Sequence, residues 1–204
     1  MPATPIILGP VSWTRMSDAV DSVRRRLLGA ASALQAAHVP YAVVGGNAVA
    51  AWVSRADEAA VRNTRDVDIL LQREDLPAAI AGLEKAGFIH RRVASLGQTG
   101  TMDVFLEGPA GKVRDAVHIV FAAEKTRPDQ PEPNATVEES EDAGAFRLIS
   151  LEALVRMKLS AFRDKDRVHL RDLASVGLLD ESSLARLSPI LATRLREILD
   201  SPDE

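Results

Sequence analysis

The sequence predicts an α+β protein: a small mixed sheet, partly antiparallel, flanked by helices and followed by a helical C-terminal part. Three observations lead there. Apolar runs of strand length recur between residues 41 and 122. Helical periodicities precede and separate the first of these runs. From residue 150 onward, only helical spacing is found. The chain thus divides into residues 1–147, a core with an N-terminal helix and an acidic, proline-rich loop, and residues 148–204, a helical segment packed on that core.

Each element has a local reason. Residues 17–37 read as a helix, with Ser17 as N-cap and Val20, Val23, Leu27 and Leu34 at helical spacing; His38 and Pro40 close it. Residues 41–44 form a short buried strand, and 46–54 a helix of small residues. The polar stretch 55–63 reads as a loop. A strand over 66–72 precedes a helix over 75–86, which has Pro77 in its first turn and stops at Gly87. Three strands are expected at 88–93, 101–106 and 113–122, the last two joined as a hairpin through "EGPAGK". Residues 123–147 carry Pro128, Pro131 and Pro133 among many acids and show no period, which predicts a long surface loop. Helices over 150–162, about 166–177 and 181–199 complete the chain. No internal repeat is visible.

Composition narrows the function classes. The 204 residues are 46% apolar and 26% charged, enough to bury a core. A net charge of −4 provides no global basic field for nucleic acid, and sequence-specific DNA binding is not expected. "RRR" at 24–26 and the basic run 163–171 could touch phosphates, but Asp164, Asp166 and Asp172 interrupt the second. With no cysteine, disulfides, thiolate metal sites and a cysteine nucleophile are excluded. The start "MPATPIILGP" lacks a basic region and a long apolar run, and no segment reaches the roughly 20 apolar residues of a membrane span. A soluble cytoplasmic protein is the expectation, with no membrane partner.

The chemistry-bearing residues cluster in "YAVVGGNAVAAW" and "NTRDVDILL". Side chains alternate along a strand, so Asp66, Asp68 and Leu70 share one face while Val67, Ile69 and Leu71 take the other. Two carboxylates side by side repel unless paired. A divalent cation would relieve them, and Mg2+ favours one or two carboxylates together with phosphate oxygens. Solvent exposure beside Arg62 and Arg65 would serve as well. Gly45 and Gly46 let backbone approach a ligand, and the helix that follows offers free N–H groups to an anion. They could equally form a tight turn with no ligand. Taken together, the glycines and the acids favour a triphosphate site.

Two charges lie on helix faces that should be apolar. Lys158 falls within the stripe of Leu151, Leu154, Val155, Leu159 and Phe162, so it must snorkel, neutralise or meet an anion. Asp172 lies between Val168 and Val176 on the next helix. The two could pair with each other, or line one cleft with Lys158 toward phosphate and Asp172 toward a metal or an attacking hydroxyl.

These motifs resemble the nucleotidyltransferase superfamily with the DNA-polymerase-β-like fold: "VVGGNAVAAW", then "TRDVDILL". Within it, "LEALVRMKLSAFRDKDRVHLRDL" resembles the AbiEii/AbiGii-type toxin group, with its lysine motif followed by an R-D motif. The likeness covers roughly residues 40–178 in motif order. It implies transfer of a nucleoside monophosphate from an NTP to a hydroxyl acceptor, RNA among the candidates, with Mg2+ as cofactor. It also implies a place in a toxin–antitoxin pair, with an antitoxin protein as partner. By motif, Gly45, Gly46 and Asn47 would hold the triphosphate, Asp66 and Asp68 would ligate Mg2+, Lys158 would contact phosphate, and Asp172 would complete the acidic set or orient the acceptor.

The chain departs from the pattern at Asn47, where serine is frequent, and in the long spacing between Gly46 and Asp66. It also departs on the third strand. Many members carry a third carboxylate there; this chain reads "AVHIVFA", with His118 at that place. His118 could ligate the metal or have no catalytic part, and Asp103 and Asp115 are substitutes on neighbouring segments. The alternative to an enzyme is therefore a nucleotide-binding or regulatory protein of the same fold without complete metal chemistry.

Overall fold

The structure is a computed structural model that describes residues 11–94 and 101–201. The N-terminal stretch 1–10 lies outside the described residues. A long helix, α1 (Trp13–Ala36), opens the chain, capped by Ser12, whose side chain accepts from the Arg15 amide, rather than by the expected Ser17. Strand β1 (Ala42–Val44) runs straight into α2 (Gly45–Ala56). Then come β2 (Val67–Leu71), α3 (Leu76–Lys85), β3 (Phe88–Ala94), β4 (Thr101–Glu107) and β5 (Val117–Phe121). Two short strands, β6 (Ser140–Asp142) and β7 (Arg147–Ile149), precede α4 (Leu151–Ala161), α5 (Asp164–Ser175) and α6 (Pro189–Asp200).

One seven-stranded sheet has the order β3-β4-β5-β2-β1-β7-β6. It is mixed, as expected: β1 pairs antiparallel with β2, β2 parallel with β5, β1 parallel with β7, and β4 antiparallel with both β3 and β5. The two faces of β2 are separated by the alternation read from sequence. Val67, Ile69 and Leu71 join Val43, Val117 and Ile119 in a core against α1 and α3. Leu70 joins Ala42, Val44 and Leu148 in a second core against α2, α4, α5 and α6.

Three expectations are corrected. The stretch 123–147 is not a free surface loop. Ala135 and Val137 are buried in the second core, Asn134 donates to the Phe121 carbonyl at 3.0 Å, and the stretch contains β6 and the first residue of β7. Its prolines and acids hid a short hairpin, β6 with β7, which joins the rest of the sheet only where Leu148 pairs with Val43 of β1, far away in sequence. The strand over 113–122 is shorter, because residues Val113–Asp115 form a 3-10 turn. The single helix over 181–199 is two pieces, a 3-10 segment Glu181–Arg186 and α6, because Pro189 begins a new helix at its first position. No helix among the described residues is long and apolar enough to cross a membrane.

Candidate functional site

The site grows from the loop that enters β2. Arg26, buried on α1, donates to the Arg65 carbonyl at 2.9 Å. Asn47, on α2, donates from Nδ2 to the Asp66 carbonyl at 2.7 Å. Two helices thus pin consecutive carbonyls and fix where Asp66 begins. Thr64 donates to Oδ1 of Asp66 at 2.8 Å, leaving Oδ2 to face inward across the strands.

Strand register brings the remaining groups together. In the parallel pair β2–β5, Asp68 lies opposite His118; in β1–β2 it lies opposite Val44, immediately before Gly45. His118 Nδ1 is 3.8 Å from Asp66 Oδ2 and 3.7 Å from Asp68 Oδ1. One ligand atom from each of the three lies within 4.8 Å of the others, the only such group of metal-ligating side chains among the described residues. Side-chain exposures of 27%, 19% and 13% for Asp66, Asp68 and His118 keep the trio reachable from solvent.

Gly45 has φ of +69°, and a Cβ built there would lie 1.9 Å from Asp68 Oδ2. A Cβ at Gly46 would meet Thr64 Oγ1 at 2.9 Å. The glycines therefore admit the acids and their supporting hydroxyl against the first turn of α2.

Electrostatics favour an ionised Asp68. Burial pushes the Asp68 carboxyl up, but His118, Lys158 and Lys165 outweigh it and hold the group below the usual carboxylate range. Burial pulls His118 down, yet Asp68, the Val113 carbonyl and the charge of Asp66 carry it above its ordinary value.

Lys158 is buried and donates to Asp166 Oδ1 at 3.0 Å; Arg163 donates to the other oxygen of Asp166 at 2.7 Å. Of the options open for Lys158, it meets an anion, and that anion is Asp166. Asp172 pairs with Arg62 at 2.8 Å, not with Lys158, and its Oδ2 is buried without a partner. Its expected stripe is also shifted: Val168 is exposed, and Leu170 and Leu173 face the core. Burial raises the Asp172 carboxyl, with Arg62 acting against the rise. His169 Nδ1 is likewise buried and unpartnered; burial, then Lys158, lowers this imidazole to about 4. Both residues border a cavity of about 30 Å3 that also touches Gly46, Arg62 and Thr64. Such a space holds about one ordered water and is too small for a nucleotide.

Neither suggested substitute acid joins the trio. Asp103 is buried and bonded to His90 at 2.8 Å and Arg92 at 3.3 Å, and strand alternation puts it on the face opposite His118, because Val104 is the residue paired with His118. Asp115, in the 3-10 turn before β5, sits beside Arg114. Several charges of the basic segments are committed: Arg26 pairs with Glu107, Arg167 with Glu197, and Arg171 with the Ser201 carbonyl. Sequence reasoning missed Thr64, whose place two residues before Asp66 in "NTRD" was the available clue, and Asp166, which reaches Lys158 only through the helical turn. Lys165, exposed on the first turn of α5 and acting on Asp68, was also missed.

No family model matches the chain, and no curated protein does. Solved structures do resemble it. A nucleotidyltransferase-like antigenic protein from Paracoccidioides brasiliensis superposes with a TM-score of 0.52 at 18% identity, over 90% of this chain and 89% of its own. A protein from H. pylori assigned as a nucleotidyltransferase superposes with a TM-score of 0.51 at 15% identity, over 95% and 80%. At such identities the likeness concerns architecture. The chain has a nucleotidyltransferase-like fold, a seven-stranded mixed sheet flanked by helices, with Asp66, Asp68 and His118 converging beside the Gly45–Gly46 turn.

Proposed function

We propose that this protein transfers a nucleoside monophosphate from an NTP to a hydroxyl acceptor, with a divalent cation held by Asp66, Asp68 and His118. The observation carrying this reading is the convergence of the three side chains on one point, with an imidazole nitrogen under 4 Å from each acid. The fold shared with the two nucleotidyltransferase-type structures supports it. The donor set fits a cation: His118 Nε2 lies 2.7 Å from the Val113 carbonyl, the outer-sphere bond that commonly orients a metal-binding imidazole.

The cation, when bound, would neutralise phosphate oxygens and the charge of the departing pyrophosphate. The chain's own groups bind and align. Gly45 and Gly46 bring the backbone N–H groups of the α2 N-terminus beside Asp68, where a phosphate can accept from them. Asn47 acts by fixing the Asp66 carbonyl. Lys165 offers an exposed ammonium whose field reaches Asp68, as does the field of Lys158, which Asp166 holds in place. Asp172, near Gly46 and Thr64 around the small cavity, is the group left for positioning an acceptor.

An RNA acceptor and an antitoxin partner stay tied to the toxin-group resemblance; the identity of the acceptor is the finer part of this proposal. A second reading, nucleotide binding without transfer, is favoured by His118 standing where a third carboxylate would hold the acceptor's cation. Calorimetry with each NTP and a divalent cation tests the site: Asp68→Ala should abolish cation-dependent binding, and unchanged binding would remove the assignment. Incubation with α-labelled NTP and total cellular RNA separates the readings, since label transfer requires the enzyme and tight binding without transfer requires the other.

A further inference from the structure

The identity of the third ligand carries a consequence for the cation. We infer that this site selects a first-row transition ion of the Mn2+, Co2+ or Zn2+ kind over Mg2+, because its third donor, His118, offers nitrogen. The inference rests on the cation-binding role proposed above.

A backbone carbonyl only accepts, so the 2.7 Å contact between His118 Nε2 and the Val113 oxygen places a proton on Nε2. In the neutral ring, the Nδ1 lone pair is then the atom turned to Asp66 and Asp68. Its separations of 3.8 and 3.7 Å from their oxygens fall below the ~4.2 Å that two bonds of about 2.1 Å can span. The imidazole can therefore share an ion with either acid, and the three donors lie within 4.8 Å of one another.

Mg2+ demands oxygen ligands and releases water reluctantly, whereas first-row transition ions accept an imidazole nitrogen more readily, with an affinity that is lowest at Mn2+ and rises toward Cu2+. No nearby acid restores an all-oxygen set among the described residues. Asp103 lies on the other sheet face in its pair with His90, and Asp115 stands beside Arg114. The imidazole is also held in place: β5 pairs with β2 along Val117–Phe121, fixing His118 beside Asp68.

The test uses the full chain with MnCl2 and MgCl2 as probes. Mn2+ binding is followed by electron paramagnetic resonance, Mg2+ by competition, and the bound Mn2+ by electron spin-echo modulation. Wild type should bind Mn2+ with 14N modulation. His118→Asp should lose the modulation and lower the Mn2+ over Mg2+ preference. Bound Mn2+ without nitrogen modulation, or an unchanged preference in His118→Asp, overturns this inference and leaves the proposed reaction standing. Absence of divalent binding by the wild type removes both. Should His118→Asp fail to fold, the wild-type modulation alone decides.

Discussion

The carboxylate of Asp68 occupies the space that a side chain at Gly45 would need, with Oδ2 1.9 Å from an ideal Cβ. The first glycine of the turn is thus required by an acid on the neighbouring strand as well as by its own φ of +69°. Turn and acid form one unit, because β1 and β2 pair antiparallel with Val44 opposite Asp68.

Gly45→Ala should therefore damage the site more than the fold. Left-handed backbone at a non-glycine residue costs on the order of 1–3 kcal/mol, and Asp68 must also move aside. Urea denaturation should show a loss of that size, while calorimetry should show cation-dependent NTP binding falling at least about tenfold. Normal binding in a folded variant would contradict the proposed geometry.

Asp166 is fully buried between Lys158 and Arg163, so Asp166→Asn leaves a buried ammonium without its counter-ion. Breaking one side of such a pair costs about 3–5 kcal/mol. The double variant Lys158→Met with Asp166→Asn should be less destabilised than the sum of the single changes, because the stranded charge is gone. Denaturant midpoints of the four proteins check this.

Asp172 should behave in the opposite way. Its folded carboxyl is raised, so its contribution to stability is full below the unfolded value near 3.9 and is lost as pH rises through the folded value. At neutral pH the penalty is therefore complete. Asp172→Asn removes it, at the loss of a pair with Arg62, whose side chain is 69% exposed. Stability should stay equal or rise by no more than about 1 kcal/mol, whereas label transfer should fall if Asp172 positions the acceptor. A clear loss of stability would show that the Arg62 pair matters more than its exposure implies.

His169 sets an acid limit. Burial and Lys158 lower its folded value to about 4, with Lys165 adding to them and Asp166 and Asp68 opposing. An imidazole lowered in this way contributes stability that is full above the unfolded value near 6.5 and declines as pH falls toward about 4. Thermal midpoints should drop across that window, and His169→Gln should flatten the drop. Parallel curves for the two proteins would contradict the assignment.

Much of this molecule is decided by short-range rules. Alternation along residues 66–71 separates Val67, Ile69 and Leu71 from Asp68 and Leu70, and the structure buries each set against different helices. Gly45 and Gly46 were legible because a backbone turn at the end of a strand leaves a local mark. The helices, most strands and the mixed α+β character follow from the same periodicities.

Tertiary structure alone decided who pairs with whom. That Lys158 meets Asp166 rather than Asp172 depends on Phe162, whose left-handed φ of +48° ends α4 and lets α5 turn back. Strand β7 is paired with β1 across about a hundred residues, too distant for any local pattern in 123–147 to announce it. His118 could be placed on a strand from sequence, but its approach to both acids rests on the parallel register of β2 and β5. Periodicity reports which side of an element is buried; charges take partners by proximity in space, and proximity belongs to the packed chain.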